Sequence, residues 1–367
     1  MSARRSVSFE EAVGWIDGAT DGLGSEEIAL DLAAGRVSIA DLCAYDAIPE
    51  ADCAAIDGFA VTAEASLGAG AYNPLIVDAC ALEAGEPMPP GMDAVVPLGH
   101  AEPDGAGRIL MVEPIVAGGN IDRRGAVAAA GTVLVKAGTR LTPHHLGLLA
   151  VSGLTRLPVA RRPQVRLAIA GRARSGQPVN SNGPMLRALI ERDGGVAIEA
   201  DMAQAFDAGA DLVVIAGGTG NGVSDRSASV LAEAGILEIH GVALIPGETA
   251  GFGHTATGAI VVMLPGTPAS CLWNYELFAG RAIRRLGGRA ADLPYRSRRV
   301  TTARKIVSPI GMTEICAIRH RPDGAIEPAA SFAESGLMAA VAADGFVITP
   351  AKSEGYPAGA AVDAYFY

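Results

Sequence analysis

Apolar positions along the chain fall into two patterns, and each predicts a different kind of element. Between residues 163 and 288, short continuous runs of β-branched and aliphatic residues alternate with stretches of helical period. The runs at 165–170, 196–198, 212–216, 236–244 and 259–264 predict strands. The stretches at 184–192, 224–234 and 269–286 predict helices, the first of them capped by Ser181 or Asn182. A run such as Leu212-Val213-Val214-Ile215-Ala216, apolar at every position, suits a strand buried on both faces of a parallel sheet. Strands alternating with helices of this length build an open sheet covered on both faces, with ligands received at the carboxyl ends of the strands. The loops expected at that edge are 172–184, 217–224, 246–249 and 265–268, two of them containing rigid Pro-Gly turns.

Elsewhere the pattern is more broken. Ser8 and Glu11 form a capping-box pair that opens a helix at 9–16. A second helix is expected at 25–34, with Ile28, Leu30 and Leu32 apolar and Gly35 closing it. From 37 to 131, short β-leaning runs are interrupted by Gly and Pro, which predicts an inserted all-β region. Thr142-Pro143 opens a further helix at 144–152, closed by Gly153. His144 and His145 are adjacent, so on a helix they point in different directions and form no joint metal site. Residues 281–299 read as a charged linker, and 300–367 as short strands around turns. The resulting partition is a helical domain (1–42 and 132–162), an inserted β domain (43–131), an α/β/α domain (163–293) and a C-terminal β domain (294–367).

The chemistry is expected where the central strand 212–216 ends. Gly217, Gly218, Gly220 and Gly222 follow within six positions, and a helix begins just beyond them. Without side chains in the way, an anion can approach the amides of such a loop, and the unpaired N–H groups at the helix start favour negative charge. A phosphate or pyrophosphate fits there, with Asp225 close by. The loop is neither Walker A, since no Gly-Lys-Ser/Thr follows, nor the dinucleotide fingerprint, whose glycine spacing differs. The competing reading is a strand-to-helix turn that holds nothing.

Composition narrows the field. A chain of 367 residues is too long for one core. The formal net charge of -11 and the presence of only three lysines, Lys136, Lys305 and Lys352, argue against nucleic-acid binding. The pairs Arg123-Arg124 and Arg161-Arg162 read as solvated loop charges rather than phosphate sites. Five scattered cysteines form no Cys-x-x-Cys pair and signal neither a disulfide framework nor a structural metal. The N-terminus has no secretory apolar region, and no apolar stretch reaches about 18 residues, so a reducing cytoplasm and no membrane are expected.

Several collinear motifs resemble one family over essentially the whole chain, the molybdopterin molybdenumtransferases, which include MoeA and the gephyrin E domain. Ala33-Ala34-Gly35-Arg36-Val37 and Ile48-Pro49 resemble its Gly-Arg-Val and Leu-Pro landmarks. Ala54-Ala55-Ile56-Asp57-Gly58-Phe59-Ala60 is similar to its Ser-Ala-Met-Asp-Gly-Tyr-Ala. The segment from Ala84-Gly85-Glu86-Pro87 to Asp93-Ala94-Val95-Val96 is similar to its Thr-Gly-x-Pro-x-Pro-x-Gly-x-Asp-Ala-Val-Val. Ser181-Asn182, Gly217-Gly218, Pro246-Gly247 and Leu264-Pro265-Gly266-Thr267-Pro268-Ala269-Ser270 follow in order.

The resemblance implies a homodimer of multidomain α/β subunits. Each would have an N-terminal helical domain, an inserted β domain, a molybdopterin-binding α/β/α domain with a parallel-rich sheet, and a small C-terminal β barrel. It implies a reaction in which adenylated molybdopterin and molybdate are the substrates, Mg2+ assists and AMP is released. Carried over by position, Asp57 and Asp225 would be the catalytic and metal-holding carboxylates. The cofactor would be bound by Gly217, Gly218, Thr219, Gly220, Asn221, Ser224, Ser181, Asn182, Pro246, Gly247, Pro265, Gly266, Pro268 and Ser270. A molybdopterin adenylyltransferase or a molybdoenzyme would be a partner.

The chain also departs from the family pattern. Its Gly-Glu-Asp is here Gly125-Ala126-Val127, and its Thr-Gly-Asp-Glu-Leu is roughly Gly171-Arg172-Ala173-Arg174. Its Lys-Pro-Gly-Lys-Pro is Ile245-Pro246-Gly247-Glu248-Thr249, so both lysines are gone, and Gly-Gly-Thr-Gly stands where Gly-Gly-Val-Ser is usual. Two functions follow: an enzyme that inserts the metal, or a paralogue that keeps the pterin pocket as a carrier or assembly subunit.

Overall fold

The computed structural model describes residues 6–170, 181–220, 222 and 225–367. The chain forms two compact units, one of Met1–Glu26 with Ala160–Tyr367 and the other of Glu27–Val159.

The first unit is built on a six-stranded sheet of β1 (Gln164–Ile169), β2 (Val196–Ala200), β3 (Leu212–Ala216), β4 (Gly235–His240), β5 (Gly251–Thr255) and β6 (Ile260–Leu264). Its spatial order is β2-β1-β3-β6-β5-β4. The first four strands are parallel, and β5 and β4 then pair antiparallel, so the sheet is parallel-rich with an antiparallel edge. Alternate residues feed two cores. Val165, Leu167, Leu212, Val214, Val262 and Leu264 pack under the helices Phe9–Ala19, Gly183–Asp193 and Gly280–Leu286. Ala168, Val213, Ile215, Val261 and Met263 pack with Leu231 of helix Ser227–Ala234 on the other face. Every residue of β3 is at most 1% exposed, which explains why its sequence is apolar without alternation. Each such buried aliphatic side chain contributes about 1.5–3 kcal/mol.

Helix Phe9–Ala19 starts at the capping box read from the sequence: Glu11 N donates to Ser8 Oγ at 3.1 Å, and Ser8 N donates to Glu11 Oε2 at 2.9 Å. Its buried Ala12 and Ile16, one turn apart, join the core of the sheet. Asp17 accepts from Arg281 Nε and Nη2 at 2.7 and 2.8 Å, which fastens the helix to Gly280–Leu286. The N-terminal helix therefore belongs with the α/β core, whereas the helix Pro143–Val151 lies in the other unit.

The C-terminal strands Arg296–Thr301, Thr313–His320, Ile326–Pro328, Gly345–Thr349 and Ala361–Phe366 form a second, mixed sheet with Leu244–Ile245. Its path runs from Leu244–Ile245 through 313–320, 345–349 and 361–366 to 296–301. Trp273 packs edge-on against Phe346, with ring centroids 4.5 Å apart, joining this sheet to the helix Pro268–Asn274.

The Glu27–Val159 unit has two principal cores. One gathers Val61, Val77, Ala94, Val96, Ile109 and Met111 from short antiparallel strands. The other gathers Ala33, Leu42, Val135, Leu141, Leu149, Leu157 and Val159 around the helix Pro143–Val151.

Four elements differ from their sequence expectation. Residues 25–34 are a strand, Ser25–Ala29, followed by the 3-10 turn Leu30–Leu32. Only Ile28 of the three apolar residues lies in the strand; Leu30 and Leu32 are in the turn and Leu32 is exposed, so they present no common helical face to a core. The helix after the glycine loop starts at Ser227, because Asp225 N donates back to Gly222 O and closes a turn first. The strand expected at 236–244 ends at His240, where Gly241 turns with φ 113°. The helix expected at 269–286 is Pro268–Asn274, a π-helical segment Tyr275–Ala279, and Gly280–Leu286. His144 and His145 do not diverge either: both rings reach Thr142 Oγ1 at 3.0 Å, because side chains in a first helical turn can fold back on the capping residue. His145 Nδ1 also accepts the Thr142 N–H at 3.2 Å, so it closes the cap.

Candidate functional site

The loop leaving β3 is shaped by what glycine allows. Gly217 has φ 97°, and a Cβ there would overlap the carbonyl oxygen of Ala170. Its N–H donates to Leu264 O at 2.9 Å, which carries the end of β6 alongside. The next three carbonyls are each held by a donor. Ser227 Oγ donates to Gly217 O at 2.7 Å, Ser227 N donates to Gly218 O at 3.0 Å, and His240 Nε2 donates to Thr219 O at 2.9 Å.

A planar trans peptide points the C=O of one residue and the N–H of the next in opposite directions. The three tethers therefore aim the N–H groups of Gly218, Thr219 and Gly220 away from the protein groups that hold the carbonyls. Among the described residues none of these three N–H groups has an acceptor, and Thr219 is 2% exposed. Gly218 and Gly220 are half-buried, and three successive N–H groups with no acceptor among the described residues suit an anion.

Two further turns border the loop. Thr219 Oγ1 and Thr249 Oγ1 share a hydrogen bond of 2.8 Å, which joins the glycine loop to the Pro246-Gly247 turn. Gly247, with φ 117°, sits where a Cβ would collide with Asn274 Nδ2. That amide donates to Ser270 O at 2.8 Å and to Pro246 O at 3.2 Å, so the turn is pinned to helix Pro268–Asn274. Asn182 Nδ2 donates to Gly266 O at 3.0 Å, bringing the start of helix Gly183–Asp193 to the Pro265-Gly266 turn. Gly266 in turn approaches Gly217 closely enough that a Cβ on it would lie 3.3 Å from Gly217 Cα. Thr267 Oγ1 donates to Ser270 Oγ at 2.8 Å, Pro268 opens its helix and Ser181 is exposed.

The site residues expected from the sequence thus divide into groups. Gly217, Gly218, Thr219, Gly220, Pro246, Gly247, Pro265, Gly266 and Asn182 belong to one connected set of turns at the carboxyl ends of β3 and β6. Asn221, Ser224, Arg172 and Arg174 lie outside the described residues. Asp225 Oδ2 accepts the Gly222 N–H at 2.9 Å and lies over Gly220, where a Cβ would come within 2.6 Å of it. It closes the loop and leaves Oδ1 without a bond among the described residues. Asp57 is in the other unit, exposed, with Oδ1 accepting the Ala84 N–H at 2.8 Å. Among the described residues no cluster of three or more His, Cys, Asp or Glu side chains is placed to hold a metal ion.

Sequence reasoning missed Ser227, His240 and Asn274, which act on backbone carbonyls and carry no motif. The arginine pairs are structural. Arg161 makes a bidentate pair with Asp211 at 2.7 and 3.0 Å, and Arg162 donates to Gly194 and Gly195 carbonyls. Arg123 bonds Asp52 at 2.6 Å. The hydrogen bond from the Arg124 N–H, followed by that from Arg123, holds the Asp52 carboxyl below the usual carboxylate range.

A three-layer α/β/α domain with an anion-ready glycine loop at its strand ends defines a class of phosphate- and nucleotide-binding proteins. Residues 7–153 match the family model described as MoeA N-terminal region (domain I and II). Residues 165–285 match the one described as probable molybdopterin binding domain. Molybdopterin molybdenumtransferase 2 of Mycobacterium tuberculosis is 33% identical over 331 residues, covering 77% of this chain and 80% of that protein. Molybdopterin molybdenumtransferase of Staphylococcus aureus is 26% identical over 405 residues, covering 99% and 96%. The crystal structure of the molybdopterin biosynthesis moeA protein from Pyrococcus horikoshii OT3 shares the fold with a TM-score of 0.72 at 23% identity, covering 99% of this chain and 100% of that one. The chain belongs to the MoeA family of molybdenum cofactor biosynthesis.

Proposed function

We propose that the protein is a molybdopterin molybdenumtransferase whose 217–220 loop holds a phosphate of adenylated molybdopterin while molybdate is taken up and AMP is released. The observation that carries this reading is the run of three unpaired N–H groups at Gly218, Thr219 and Gly220. A diphosphate linkage brings negative charge at neutral pH, and fixed N–H dipoles stabilise both that charge and the charge that develops as the phosphoanhydride breaks. The whole-chain similarity to transferases favours an enzyme over a carrier.

The remaining parts of the reading follow the family resemblance. Asp225 and Asp57 each keep one carboxylate oxygen free of the bonds that order their turns. The free oxygen of Asp225, with substrate phosphate and water, matches what Mg2+ takes from a protein, which is one or two carboxylates rather than a full cage. Bound there, Mg2+ would neutralise phosphate charge. The C-terminal sheet would be the wall of a small barrel, and the working form a homodimer in the cytoplasm. It would receive substrate from a molybdopterin adenylyltransferase and pass product to a molybdoenzyme. Among the described residues no helix is long and apolar enough to cross a membrane.

The test is to incubate purified protein with adenylated molybdopterin, molybdate and magnesium and to follow AMP. Release of AMP that depends on molybdate supports the reading. Tight binding of the adenylate with no AMP release would leave only a carrier, and absence of binding would remove the site.

A further inference from the structure

We infer that His240 is a positioning residue of the phosphate loop, one that aims the Gly220 N–H at the bound anion; the inference rests on the reading of that loop as a phosphate site. His240 is the last residue of β4 and is 6% exposed, deep beside the loop rather than on its rim. Its Nε2 lies 2.9 Å from Thr219 O. A carbonyl only accepts, so this nitrogen carries the proton. Nδ1 has no partner among the described residues, so the ring's single hydrogen bond is the one to the loop.

The ring has a prepared place. His240 pairs with Gly251 of β5, and a Cβ on Gly251 would lie 3.5 Å from His240 Cδ2 and nearer still to the Met263 methyl. Position 251 thus lies at ordinary contact distance from the imidazole, and it is the Met263 methyl that a side chain there would displace.

The tethered carbonyl and the Gly220 N–H belong to the same peptide plane, and fixing one fixes the other. The first two peptides of the loop are held through Ser227, on the helix that follows, but the third depends on His240. Loss of the His240 bond leaves that third peptide without a donor on its carbonyl. Gly220 bears no side chain, so its φ and ψ accept either orientation with little strain. Without the His240 proton the 219–220 peptide can flip, presenting an oxygen to the anion instead of an N–H. The Thr219 hydroxyl bond to Thr249 fixes the side chain but not the peptide.

The experiment compares wild type, His240→Leu and His240→Gln in the full chain. AMP affinity is measured by calorimetry, the melting temperature is recorded, and AMP release is resolved into kcat and KM. We expect His240→Leu to weaken AMP binding roughly tenfold, as loss of one charge-assisted hydrogen bond would. His240→Gln, whose amide N–H can reach the same carbonyl, should recover most of the affinity. A purely structural histidine would lower the melting temperature of His240→Leu while leaving the affinity of the folded protein unchanged, and that result overturns the inference. Should His240→Leu not fold, wild-type-like affinity in His240→Asn, whose amide is too short for the carbonyl, overturns it equally. Failure of wild type itself to bind AMP would instead remove the phosphate-site reading.

Discussion

Asp225 shows how one side chain can serve a loop and its chemistry together, and how the two can be separated. One oxygen accepts the Gly222 N–H, and the other is free of such bonds. Asp225→Ala removes both functions and should lower the rate of AMP release by about a hundredfold or more. Asp225→Asn keeps an acceptor for Gly222 while deleting the charge. If the carboxylate holds a cation or orients water, Asn is as inactive as Ala but binds AMP normally. Activity near wild type in the Asn variant would show that closing the loop is all Asp225 does. At this scale the sequence was only partly legible. Gly217, Gly218 and Gly220 were readable because the need for positive φ or a missing Cβ selects glycine. Ser227, His240 and Asn274 were not, because a side chain bonded to a distant carbonyl leaves no local spacing to find.

Elements reveal which parts of the pattern carry weight. The central strand was legible to the residue, since burial on both faces removes every polar position from it. Residues 25–34 are not legible as a helix or a strand, because Ile28 ends up in a strand while Leu30 and Leu32 fall in a turn with Leu32 exposed. The N-terminal helix was legible at its capping box, but its attachment was not: Asp17 meets Arg281 more than two hundred and sixty positions away.

That attachment is pH dependent. The hydrogen bond from Arg281, with its positive charge, lowers the Asp17 pKa from the ordinary 3.8. A carboxyl depressed in the folded state adds stability that is present above its unfolded pKa and is lost as the pH falls through the folded value. Asp17→Asn should therefore melt below wild type at pH 7, and the gap should shrink as the pH is lowered through the depressed value of the folded carboxyl. A gap that stays constant as the pH falls would show that the ion pair contributes nothing.

For the whole molecule, the texture of the sequence separates an alternating βα region from two β-rich regions, but Ser25–Ala29 pairs with Arg156–Ala160 in the stretch expected to be helical, and Leu244–Ile245 of the βα region joins the C-terminal sheet. The grouping of the first helix was hidden, because long-range packing rather than local pattern puts Phe9–Ala19 on the α/β core. The family's lysines around Pro246-Gly247 are absent here. Ile245 and Glu248 stand at those positions, and beside them Thr249 meets Thr219, so the two loops are joined by hydroxyls.

Whether backbone N–H groups hold the anion can be observed directly by following the amide resonances of deuterated, 15N-labelled protein during titration with AMP. The account predicts that Gly218, Thr219 and Gly220 shift together, saturably, with one common affinity. Saturable AMP binding that leaves those three amides unmoved would contradict it.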